Sequence, residues 1–225
     1  MNSKQVILLK NRLPYNLIID IKDFFMKRLS KLAISFFILS GSFNTLAVTP
    51  VDECKKLFDN ASYKQAIPSC KLAAESGDKL SQTQLGEIYD RMGNSNKTAY
   101  WWGKAAGSGY QPARNLLALK HFYGGTVLGP EKGWEQNYNK AFHLWEEDAK
   151  KGIASSQFMI GVMYQNGFGV DKNLSEAWFW LNVSLENGYK LSTDVLIEIS
   201  HDISTEEKNL GKNMLAKYHN RKNKI

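Results

Sequence analysis

Few folds can accommodate the stretch from Ala154 to Gly188. Its first half places Phe158, Ile160, Gly161 and Tyr164, with the small residues Ala154 and Ser155, at spacings that share one helical stripe. Gly161 costs about 1 kcal/mol against alanine inside a helix, so a closely approaching neighbour is the expected reason for it. Asn166-Gly167 ends this helix, because glycine takes the left-handed conformation readily. A second helix is expected from Asn173, an N-cap with Glu176 three residues on in capping-box spacing. It buries Ala177, Trp180, Leu181, Ser184 and Leu185 and stops at Gly188. Two helices joined by so short a turn lie antiparallel.

The second-helix pattern recurs upstream. Thr98, Trp101, Trp102, Ala105, Ala106 and Gly109 fit it, as do Ala141, Leu144, Trp145, Asp148, Ala149 and Gly152. Ala66, Ser69, Cys70, Ala73, Ala74 and Gly77 fit it more loosely. The closing glycines Gly77, Gly109, Gly152 and Gly188 are 32, 43 and 36 residues apart, a period that marks a solenoid. The expected fold is all-α: a right-handed superhelical solenoid of about four antiparallel helix pairs across 48–220. A short helix over Leu191 to Ser200 and a longer one opened by Ser204-Thr205-Glu206-Glu207 would cap its end.

These residues resemble the Sel1-like repeat, a relative of the tetratricopeptide repeat. Ile160-Gly161, Tyr164, Gly167, Gly169-Val170, Asp171, Glu176-Ala177, Trp180 and Gly188 carry the resemblance in one copy. Leu85-Gly86, Tyr89, Trp101-Trp102 and Lys104-Ala105-Ala106 carry it in another. It extends over about residues 51 to 190, with two departures. Arg91-Met92-Gly93-Asn94 stands where the Gly-x-Gly-Val turn belongs, and Ala118 or Leu119 stands where a glycine does. The resemblance implies a non-enzymatic protein-binding module whose partner is another protein: an envelope regulator, a host protein, or a secreted toxin that an immunity protein neutralises.

Stacked hairpins leave the first helix of each repeat lining a concave surface. The candidate contact residues are first-helix positions off the core stripe, namely Glu87, Arg91, Lys120, His121, Tyr123, Gln165 and Asn166. Trp134 joins them from a glycine-rich insertion between Gly124 and Asn139, since long loops often carry function and aromatics anchor interfaces. Folding back onto its own repeat is an equal alternative for Trp134. Trp178 has no role in the repeat pattern.

Residues 1–25 mix apolar and basic residues without a period and read as a mis-start or flexible extension. Lys27, Arg28 and Lys31, the apolar run from Leu32 to Leu39 and the small-residue site Thr45-Leu46-Ala47 read as a secretory signal peptide over 26–47. The run is well short of the roughly 20 residues that span a bilayer. Export to the periplasm or medium, without stable membrane insertion after cleavage, is therefore expected, with the mature chain a monomer. The chain has 29 Lys+Arg and 22 Asp+Glu, of which residues 1–47 hold 7 and 2. The remaining 22 and 20 leave no nucleic-acid footprint. Lys217, Arg221, Lys222 and Lys224 read as a solvated tail, disordered over 221–225.

Cys54 and Cys70 are the only cysteines. In antiparallel helices joined near Asn60-Ala61-Ser62 they fall opposite each other, and an exported chain meets oxidising conditions. A disulfide is the reading, worth on the order of 3 kcal/mol; two buried thiols or a redox pair are the alternatives. The chain has no HExxH, GxSxG, P-loop or GxGxxG pattern, and its four histidines lack metal-ligand spacing, so no cofactor or metal is expected. Ser76-Gly77-Asp78-Lys79 matches the Ser-x-x-Lys of penicillin-recognising enzymes. Cysteine-containing relatives in the resembling family make an enzyme acting on β-lactams or cell-wall peptides the competing reading, although glycine interrupts any helix that would align Ser76 and Lys79. Glu146-Glu147-Asp148 reads as a solvated helix face.

Overall fold

The computed structural model describes residues 48–126 and 134–222. The expected extension over 1–25, the signal peptide over 26–47, the middle of the insertion and the last three residues lie outside this range. Ten α-helices occupy the described residues, without strands. In chain order they are α1 (Pro50–Asp59), α2 (Tyr63–Glu75), α3 (Lys79–Arg91), α4 (Ser95–Gly107) and α5 (Gln111–Tyr123). There follow α6 (Tyr138–Lys150), α7 (Ala154–Asn166), α8 (Leu174–Glu186), α9 (Ser192–Ile199) and α10 (Thr205–Lys222). Each helix through α8 packs on the next, giving a solenoid of four antiparallel pairs: α1/α2, α3/α4, α5/α6 and α7/α8. None of the described helices is long and apolar enough to cross a membrane.

Local chemistry sets the boundaries. Asn94, Asn137 and Asn173 cap α4, α6 and α8 through their side-chain oxygens, which accept from backbone N–H groups at 3.1, 2.9 and 3.0 Å. The expected reciprocal half of the box at Asn173 is absent, because Glu176 bonds the Trp180 indole instead. At α10 the box is complete: Glu207 accepts from Ser204 N at 2.8 Å and its own N–H donates to Ser204 Oγ at 3.2 Å. Gly167 ends α7 in the left-handed conformation. Arg221 and Lys222, expected in a disordered tail, continue α10, where cations in the last turn suit the helix dipole.

Packing within pairs explains the repeat glycines. A Cβ at Gly86 would collide with the Trp102 indole, and one at Gly161 would sit 2.7 Å from Leu181 Cγ. Counting from the helix starts, Ala118 is the third repeat's residue at this position. It is accommodated because the facing Trp145 indole turns to donate to Asn115 Oδ1 at 2.8 Å, whereas Trp102 donates to Thr83 O at 3.0 Å.

Packing between pairs uses one recurring bond. Gln82, Arg114 and Gln157 stand fourth in α3, α5 and α7, and each side chain donates to a carbonyl eight residues back in the preceding repeat. The acceptors are Ala74, Ala106 and Ala149 at 3.0, 3.3 and 3.0 Å. At the first pair, Cys54 and Cys70 form the expected disulfide. At the last, α9 and α10 both pack on α8. Gly211 of α10 lets Trp178 approach, since a Cβ there would lie 2.9 Å from the indole, and this gives Trp178 its role.

Candidate functional site

The third repeat departs most from the reading of the sequence. Lys120, expected at a contact surface, is 1% exposed and forms an ion pair with Asp90 of α3 at 2.7 Å. Its repeat equivalents Ile88 and Met163 are fully buried too, so the position belongs to the core and the lysine is accommodated by a buried carboxylate. Asp148, expected on a solvated face, is 1% exposed and pairs with the buried Arg114, which also reaches Glu147 at 3.1 Å. Burial raises the Asp148 carboxyl above its ordinary range against the pull of Arg114.

The remaining candidates fall on equivalent first-helix positions. Glu87, Leu119 and Val162 form one row across α3, α5 and α7; Arg91, Tyr123 and Asn166 form the next, one helical turn on. Arg91 pairs with Glu87 at 2.7 Å and stacks over the Tyr63 ring at 4.8 Å, so its guanidinium is held by two helices. Tyr123 is half-buried; burial pushes its phenol up to about 12, reinforced by the neighbouring Tyr138 and Tyr189 phenols. The phenol therefore stays a hydrogen-bond donor at any physiological pH. Asn166 returns its amide to Val162 O in its own helix at 2.9 Å, and Gln165 is half-buried beside it.

His121 stands where the other repeats carry Tyr89 and Tyr164. Burial lowers its pKa, helped by Lys140, and its ring lies 5.4 Å from that of Trp134. Trp134 packs against the cluster of Trp102, Ala105 and Leu117, with Leu116 and Leu144 beside it. Both ends of the insertion are fastened: Asn137 N donates to His121 O at 2.7 Å, Gly125 N to Trp134 O at 3.1 Å, and Gln136 Nε2 to Phe122 O at 2.7 Å. Trp134 thus packs, half-buried, against α4 of the second repeat as well as against its own repeat.

The Ser-x-x-Lys pair is not assembled. Ser76 Oγ donates to Ala73 O at 2.7 Å, and Lys79 Nζ donates to Ser108 O at the far end of its own repeat at 2.8 Å. Among the described residues no cluster of His, Cys, Asp or Glu could hold a metal ion. Sequence reasoning missed Asp90, Arg114 and the Gly103/Gly107 pair discussed below; the clue to the last was their departure from the charged residues at equivalent positions.

The family model described as Sel1 repeat matches residues 112–152 and 154–189. A chitin synthase regulator of Saccharomyces cerevisiae is 28% identical over 165 residues, 68% of this chain and 23% of the relative. The Sel1-repeat-containing protein YjcO of Escherichia coli is 27% identical over 141 residues, 48% of this chain and 62% of its own length. The chain thus spans about a quarter of the yeast regulator and less than two thirds of YjcO. Among solved structures, a protective antigen of uropathogenic Escherichia coli strains, displaying an SLR fold, superposes with a TM-score of 0.61 at 23% identity, over 75% of this chain and 37% of that one. A Sel1 repeat protein from Oxalobacter formigenes does so with a TM-score of 0.52 at 21% identity, over 68% and 45%. The Sel1 repeat model thus falls on the pairs α5/α6 and α7/α8, which the chain shares in likeness with these relatives.

Proposed function

We propose that the protein is an exported, non-enzymatic adaptor that grips a segment of another protein along the inner rows of α3, α5 and α7. The observation that carries this reading is the change of chemistry along those rows. On α3 lies the Glu87–Arg91 pair, and on α5, the middle helix of the rows, lie the half-buried Leu119 and Tyr123, so a partner passes from charge on α3 to more apolar surface on α5. The disulfide in the first hairpin supports an oxidising compartment. Regulation of an enzyme, as the names of the fungal relatives state for those proteins, is the form of adaptor this reading favours; neutralising a toxin enzyme is a special case of it.

A photo-crosslinking residue placed at Leu119, with His143 on the opposite helix layer as control, tests this in the native cell. One dominant crosslinked protein at 119 and none at 143 is expected. Identical patterns at the two positions, or none at either, would refute the inner-row site.

A further inference from the structure

The outer face of α4 differs from that of every other second helix. Counting back from the closing glycines, positions 71 and 75, 103 and 107, and 146 and 150 are equivalent. In the first and third repeats they hold ion pairs, Lys71–Glu75 at 3.7 Å and Lys150–Glu146 at 2.7 Å. In the second repeat both are glycines, and a Cβ at Gly103 or Gly107 would meet nothing within 4 Å. No internal contact calls for them, although glycine is the poorest ordinary helix former.

Tyr100 stands beside this cleared strip, 59% exposed and edge-on to Trp101 at 4.9 Å. Lys97 is held over the Tyr89 ring at 4.6 Å and Lys104 over the Trp101 ring at 5.5 Å. The sequence contains no Asp or Glu between Asp90 and Glu131. Of the cations there, Arg91, Arg114 and Lys120 are neutralised by Glu87, Asp148 with Glu147, and Asp90. Among the described residues, no ion pair neutralises Lys97 or Lys104.

The fourth repeat shows what such a face accepts. Phe179 is the equivalent of Tyr100, yet it is only 6% exposed, because α10 lies across it with Tyr218 at 6.0 Å. Glu186, the equivalent of Gly107, meets His219 of α10 at 2.8 Å. Trp178, the equivalent of Ala99, meets Gly211. In the second repeat the same positions, Ala99, Tyr100, Gly103 and Gly107, are all exposed.

We infer that the outer face of α4 docks an acidic amphipathic helix of a partner protein, laid across Tyr100, Gly103 and Gly107 as α10 is laid across α8. The glycines let the incoming backbone approach, Tyr100 supplies the apolar anchor, and Lys97 and Lys104 pair with carboxylates on its flanks. A second copy's α10 is disfavoured as the occupant, since its five Lys and Arg outnumber its two Glu and give it the same sign as these lysines. The surface is independent of the inner rows.

The test uses the full chain and two synthetic helical peptides with the same Leu/Tyr stripe, one flanked by Glu and one by Lys. The Glu peptide should bind, slow hydrogen exchange in α4, and weaken as salt is raised. Gly103→Lys combined with Gly107→Glu rebuilds the ion pair of the other repeats; it should cut binding at least about tenfold while raising Tm by about 2–6 °C. Tyr100→Ala should weaken binding without lowering Tm. Equal binding of the Lys peptide, binding unchanged in either variant, protection outside α4, or no binding at millimolar peptide would each overturn the inference. Loss of the Leu119 crosslink would leave it standing.

Discussion

At Gly86 a single missing methyl group decides how two helices meet. The Trp102 indole occupies the space a Cβ would need and donates to Thr83 O at 3.0 Å, so neither the ring nor the backbone can yield without breaking that bond. Gly86→Ala should therefore destabilise by about 1–3 kcal/mol through overpacking, despite the better helix propensity of alanine. The reverse change in the third repeat, Ala118→Gly, should cost about 1 kcal/mol by propensity alone. Urea unfolding of the two variants checks the pair; a stabilised Gly86→Ala would contradict the packing account. The glycine itself was legible, because it interrupts an apolar stripe that repeats. Its counterpart Ala118 left the register ambiguous until the helix starts aligned 86, 118 and 161.

Helices α3 and α5 are tied by a bond that no local pattern announces. Asp90 and Lys120 lie 30 residues apart, and each reads as a surface charge in its own helix. Only the stacking of one repeat on the next brings them together in a site from which water is excluded. Lys120→Met takes away the buried cation that Asp90 faces and should cost about 3–5 kcal/mol. Replacing both partners with apolar residues, as in Lys120→Met with Asp90→Leu, should restore most of that loss. Thermal melts of the single and double variants decide it, and additive losses would show that the pair is not coupled. The same reasoning explains why Glu146 keeps contact with solvent and Asp148 does not: the two differ by about half a turn of helix, and only the second faces Arg114.

Across the whole molecule, stability is a sum over neighbours, because each pair touches mainly the next. Reducing the Cys54–Cys70 disulfide should then loosen α1 and α2 first. Hydrogen exchange with and without reductant should show faster exchange in 50–75 and little change in 154–186; uniform acceleration would mean the stack unfolds as one unit. The fold was legible at this scale because helix period, caps and closing glycines all agree. The binding surfaces were not, because Lys120 has interface chemistry in a core position, Trp134 is half-buried against a cluster, and burial is set by the neighbouring repeat.

The bond from Gln82, Arg114 or Gln157 to a carbonyl eight residues back bears on how such a chain can change length over generations. Donor and acceptor travel in one short piece of coding sequence, so a duplicated or deleted repeat carries a finished joint with it. The Asp90–Lys120 pair has the opposite character, since it spans a full period and fits one neighbour only. Insertion between the second and third repeats would part the two charges, which makes that junction the place where the number of repeats is least free to drift.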